Sequence, residues 1–233
     1  MPDEIAESLI EEEKYEEAAA RLESLLEDHE DPGLRLRLAT CCFRAGKLGD
    51  ALANARRSAE QESEHRADAV MLVAFCLRSL KRYREAAKTY LAYAEEYGRE
   101  ERERARLARF SAALCLEELD DWSGAAKLYR EIDDDESLFR LGICLEKSGK
   151  PEEAYEVFER FLQRFTDSPE RLKVRFRLGA LRLRQGRFEE AISHLEEAVR
   201  LGEGTFLGEM AEQLLTRARA KSIDTTRKLQ RYQ

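Results

Sequence analysis

The sequence predicts an all-α protein, a solenoid of about six stacked helical hairpins closed by a C-terminal capping helix, and three observations predict it. An alanine recurs at Ala18, Ala51, Ala86, Ala125, Ala154 and Ala191, at intervals of 33, 35, 39, 29 and 37 residues, the period of stacked helix pairs. Three residues before each anchor stands a bulky residue or proline, and twelve before it stands alanine or glycine. The composition, 38% charged with four prolines in 233 residues, suits long exposed helices better than a sheet.

The first hairpin sets Ala6 against Ala18, with its second helix opening at Tyr15. The second sets Ala39 against Ala51 and opens its second helix at Leu48, after a turn at Gly46. The third and fourth pair Ala74 with Ala86 and Ala113 with Ala125, their second helices opening at Tyr83 and Trp122. In the fifth and sixth the first helix carries glycine: Gly142 faces Ala154 beyond Gly149 and Pro151, and Gly179 faces Ala191 beyond Gly186 and Phe188. A small residue at the crossing lets two helices approach closely. Leu22, Ala55, Tyr90, Tyr129, Phe158 and Leu195 follow the anchors by one helical turn on the same face. The turns use glycine where a helix ends in the left-handed conformation, but Glu13, Lys81 and Asp120 fill that place in the other three hairpins.

Two spacings are irregular. The 39-residue step predicts an extended helix start after Gly98, and the 29-residue step a short second helix near Ile132. Beyond Arg200, Leu201-Gly202-Glu203-Gly204 breaks the pattern. From about residue 205 a capping helix is expected, with Phe206, Leu207, Met210, Leu214, Leu215 and Ala218 on its packed side. We therefore expect one elongated domain over 1–220 and a polar tail over 221–233.

Gly179-Ala180-Leu181 with Gly186-Arg187-Phe188-Glu189-Glu190-Ala191, and Leu141-Gly142 with Gly149-Lys150-Pro151-Glu152-Glu153-Ala154, carry a family resemblance. The chain resembles the tetratricopeptide repeat (TPR) proteins over nearly its whole length. The resemblance implies a right-handed superhelix whose inner groove receives a protein or peptide partner, and it implies no reaction. Relatives that grip a peptide carboxylate do so with lysine, asparagine and arginine. Here Lys173 and Arg177 match that clamp, whereas Arg140, Phe110 and Leu114 replace the rest of it. A chaperone-tail function is thereby rejected, and Lys173 and Arg177 are kept as anion contacts.

Little else points to chemistry. Cys41, Cys76, Cys115 and Cys144 each lie ten residues before an anchor, so they form a column of packing thiols, with Cys42 beside the first, rather than a metal site. His29, His65 and His194 read as surface helix residues without partners at ligand spacing. No metal, cofactor or catalytic constellation is expected. The net charge of −8 opposes phosphate binding, so no nucleic-acid partner is expected. Met1 to Ile5 lack a basic segment and an apolar run, and no stretch reaches membrane-spanning length; a cytoplasmic protein without membrane insertion is expected.

The functional expectation rests on a second apolar set along the first helices. One stripe, Ile5, Leu38, Val73, Leu141 and Leu178 with Leu9, Leu77, Leu116 and Leu145, suffices for packing. A second set lies about 200° around each helix: Leu36, Met71, Phe110, Phe139 and Phe176, followed by Phe75, Leu114 and Ile143. Together with Phe43, Arg177 and Arg184 these residues are the candidate binding groove of a non-catalytic scaffold, since apolar patches of that extent mark interfaces. Self-assembly into a homo-oligomer is the alternative. A further one is a bacterial envelope or secretion-associated assembly factor, suggested by Phe165-Thr166-Asp167-Ser168-Pro169.

Overall fold

In a computed structural model that describes residues 3–231, the described residues form thirteen α-helices and no strand. Six hairpins come first: α1 (Glu4–Glu11) with α2 (Tyr15–Asp28), α3 (Pro32–Arg44) with α4 (Leu48–Ala59), α5 (Arg66–Ser79) with α6 (Tyr83–Glu96), α7 (Arg102–Glu117) with α8 (Trp122–Ile132), α9 (Asp135–Lys147) with α10 (Pro151–Arg164), and α11 (Arg171–Arg184) with α12 (Phe188–Leu201). The last helix is α13 (Phe206–Arg231), which runs into the segment read as a polar tail as far as Arg231; 232 and 233 lie outside the described residues. Every second helix opens at the bulky residue that the spacing singled out. The chain divides into two compact units, one ending at Leu128 and the other starting at Tyr129, so the boundary falls inside α8.

Short polar side chains start several first helices. Asp3 accepts from the amides of Ile5 and Ala6, Asp31 from Leu34 just before Pro32, and Asp134 from Ser137. The six hairpin turns share one geometry. In each, the residue after the turn donates its N–H to a carbonyl five residues back, as Lys47 does to Cys42 and Arg187 to Arg182, and the preceding residue has positive φ. Glycine occupies that place at 46, 149 and 186, but Glu13, Lys81 and Asp120 hold φ near 58°, 59° and 56°. A side chain there costs about 1–2 kcal/mol, partly offset by the greater freedom of glycine in the unfolded chain. Lys81→Gly is therefore expected to raise the unfolding free energy by about 0.5–1 kcal/mol, read from urea denaturation; a loss of stability would show that Lys81 contributes more than its backbone strain.

The six anchoring alanines are fully buried, as are their partners Ala6, Ala39, Ala74 and Ala113. In the last two hairpins the crossing is tighter. A Cβ on Gly142 would overlap the Phe158 ring, and one on Gly179 would overlap Leu195, so glycine on the first helix is matched to a large residue one turn after the anchor. The packing stripe holds for Leu38, Val73, Leu77, Leu141, Leu145 and Leu178 and fails at its first member. Ile5 is 58% exposed, because on the two-turn helix α1 the neighbouring Ala6 makes the buried contact. The irregular steps have simple causes: α7 starts at Arg102 after a turn over 97–101 and runs 16 residues, and α8 is shortened to 11.

At α13 the expected packed side is corrected. Ala211, Leu215 and Ala218 are buried, but Phe206 is 77% exposed and Met210 is exposed as well. The cause is the close approach of Gly202 and Gly208, whose backbones touch and set the rotation of the helix; a Cβ on Gly208 would strike the Gly202 carbonyl. The resulting register repeats α11. Ala211, Leu215 and Ala218 are spaced as Val174, Leu178 and Leu181 are, so α13 is built as a further first helix, with exposed Thr216 where Gly179 stands in α11. Among the described residues no helix is long and apolar enough to cross a membrane.

Candidate peptide-binding site

Carrying the second apolar set onto the structure separates it into two parts. In the unit ending at Leu128, Leu36, Phe43, Phe75, Phe110 and Leu114 are half-buried. Phe75 stacks edge-on against Tyr90, with ring centres 5.8 Å apart, and carries the Arg78 guanidinium over its ring. Met71 is only 8% exposed: it has turned into the core, where α3 and α5 touch directly and a flexible thioether fills the space. In the unit starting at Tyr129, Phe139, Ile143 and Phe176 are half-buried. Lys173 and Arg177 both lie over the Phe139 ring, at 5.8 and 5.9 Å from its centre.

The second unit contains a cavity of about 570 Å³. Its apolar wall is Phe176, Ala180 and Leu183 from α11, Phe188 at the start of α12, and Leu214 from α13. Its rim is charged. Glu146, at the end of α9, is mostly buried and accepts from Arg177 at 3.0 Å and Arg184 at 2.5 Å, one guanidinium on each carboxylate oxygen. Arg217 and Lys221 of α13 complete the lining, and neither has a carboxylate partner among the described residues. Of the residues singled out in the sequence, Phe176, Arg177 and Arg184 thus share one pocket. The contributions of Ala180, Leu183, Phe188 and all of α13 went unrecognised. The signal that finds the α13 residues is register: Leu214, Arg217 and Lys221 stand 37 positions after Arg177, Ala180 and Arg184.

Behind this surface lies a buried polar network that corrects the reading of His194. The imidazole is 6% exposed. Arg175 Nη1 lies 2.9 Å from Nδ1, and because a guanidinium can only donate, Nδ1 is the acceptor and Nε2 carries the proton. The Nε2–H in turn faces the Tyr155 hydroxyl at 3.2 Å. The Arg182 guanidinium lies 3.4 Å from the centre of the Tyr155 ring, with its Nε 2.8 Å from Glu190. Burial, followed by the positive charges of Arg175 and Arg182, pushes the His194 pKa down to about 4. The network links α10, α11 and α12.

All five cysteines are buried free thiols, and burial pushes those of Cys42, Cys76 and Cys115 up to about 11, far from the thiolate form that reaction or metal binding requires.

Two family models, both described as tetratricopeptide repeat, match residues 134–203 and 9–54. No curated protein sequence matches the chain. Among solved structures, YrrB, described as a TPR protein with an unusual peptide-binding site, is 18% identical, with 84% of this chain and 99% of that one aligned and a TM-score of 0.60. The C-terminal part of a TPR repeat-containing protein from Cytophaga hutchinsonii is 13% identical over 94% of this chain and 97% of that one, with a TM-score of 0.67. The apo form of RapI is 13% identical over 85% and 62%, with a TM-score of 0.68. At these identities the structural likenesses establish the fold. The hairpin register, the six identical turns and the two model matches together place this chain in the tetratricopeptide repeat family.

Proposed function

We propose that this protein is a non-catalytic docking scaffold that holds a peptide or helix of a partner protein against the groove side of the first helices of its second unit. TPR repeats mediate protein–protein interaction, and the finer reading is supported above all by the cavity of about 570 Å³, which joins an apolar wall to a polar rim in the second unit. A pocket of that size and lining suits one or two apolar side chains of a peptide, with backbone and charges arranged by the rim. The imidazole of His194 is held on both ring nitrogens, by Arg175 and Tyr155, and the thiols are sequestered, so neither competes with this reading.

The test is selection of a displayed random-peptide library on the full chain, followed by titration of the selected peptides against wild type and Phe176→Ser. Phe176 is half-buried, so the variant is checked by circular dichroism before use. We expect the folded variant to bind at least about tenfold more weakly, the loss typical of a central apolar anchor. Equal affinities for a folded variant would place binding elsewhere, and failure to select any peptide would sink the docking reading.

A further inference from the structure

We infer that the peptide received by this pocket is acidic around a single apolar anchor, and that α13 reads its charge. The inference rests on the docking reading and narrows it to one ligand chemistry.

Charge is the first argument. The chain carries a net charge of −8, so an average patch of its surface is acidic. The pocket is the reverse, with Arg177, Arg184, Arg217 and Lys221 set against Glu146 alone. Glu146 is shared by Arg177 and Arg184, which leaves one positive charge in excess there. Arg217 and Lys221 add two more, with no carboxylate partner among the described residues and with their side chains exposed. Four cations held beside low-dielectric apolar walls create a local field that favours an anionic ligand.

Geometry is the second argument. Leu214, Arg217 and Lys221 lie at positions i, i+3 and i+7 of α13 and therefore form one stripe, repeating the spacing of Arg177, Ala180 and Arg184 on α11. The cavity is lined by both stripes and by Phe188. An apolar side chain seated on Phe176, Leu183 and Phe188 would bring neighbouring carboxylates within reach of cations from both helices. A wholly hydrophobic helix would leave Arg217 and Lys221 without counter-charge, and a basic peptide would meet repulsion.

Fluorescence anisotropy on the full chain tests this with four labelled probes. They are a short peptide with one phenylalanine flanked by glutamates, its lysine-for-glutamate counterpart, its serine-for-phenylalanine counterpart, and a single-stranded oligonucleotide of matching charge. The glutamate–phenylalanine peptide is expected to bind best, more weakly as salt rises, with at least about tenfold loss on replacing its phenylalanine or on R217E/K221E. Both substituted residues are exposed, so the variant should keep the wild-type circular dichroism. Equal binding of the glutamate and lysine peptides, or unchanged affinity of R217E/K221E, would overturn the assignment of charge reading to α13 while leaving docking intact. Tighter binding of the oligonucleotide would overturn the peptide as ligand. If library-selected peptides bind but neither the acidic probe nor R217E/K221E matters, only this inference fails; if no peptide binds, the docking reading falls with it.

Discussion

Phe158→Ala is expected to lower the unfolding free energy by about 3–5 kcal/mol, the range for deleting a fully buried aromatic side chain. The ring is completely enclosed, with its centre 6.3 Å from that of Phe139, and it fills the space left by the absent side chain of Gly142. Chemical denaturation followed by circular dichroism measures the loss. A second substitution separates packing from a general weakness of the hairpin. Gly142→Ala alone forces a methyl group into a ring that cannot move, with a cost of about 1–3 kcal/mol. In the Phe158→Ala background the same methyl enters vacated space. The double mutant should therefore be more stable than the sum of the single changes predicts, and strict additivity would show that Gly142 and Phe158 do not form the contact seen here.

Acid should weaken the protein through His194. Its pKa is about 4 in the folded chain against an ordinary 6.5, so between these values the unfolded chain binds a proton that the folded chain refuses. The stabilisation is complete above pH 6.5 and is lost progressively as the pH falls from 6.5 towards 4, by roughly 3 kcal/mol in all. Tyr155 and Glu159 on α10, Arg175 and Arg182 on α11 and Glu190 on α12 surround the ring. Comparison with a variant lacking the imidazole removes the effect of acid on the rest of the chain. Unfolding free energies of wild type and His194→Gln, measured at pH 7 and again near pH 4.5, should show wild type losing about 2–3 kcal/mol more than the variant. Equal losses would mean that the imidazole is protonated as easily in the folded chain as outside it.

Much of the architecture was legible because it depends on contacts of fixed spacing. A small residue at a helix crossing and a bulky residue opening the next helix recur at constant separation, and Ala18 to Ala191 announce six hairpins without any knowledge of long-range contacts. His194 was misread for the opposite reason. The matching positions, three after each anchor, hold Arg21, Asn54, Thr89, Leu128 and Val157, so the register there says nothing definite about burial. What encloses His194 is Arg175, 19 residues away, and Tyr155, 39 residues away, a combination found in this hairpin pair. The seventh first-type helix escaped notice because Thr216 replaces the small residue that marked the others, and with it went Arg217 and Lys221. Met71 carries a pattern identical to Phe110 and Phe139, yet its flexible chain reaches a core that a rigid ring could not enter.

The enclosed sulfurs supply the molecule with internal clocks. Cys41, Cys76, Cys115 and Cys144 occupy corresponding places in hairpins two, three, four and five, one station per hairpin, with Cys42 beside the first. An alkylating reagent reaches each station only when that hairpin parts, so peptide-resolved labelling rates would time the breathing of four successive segments in the unaltered protein. A ligand that steadies one hairpin would then be read as a slowing of that hairpin's clock, with no introduced probe.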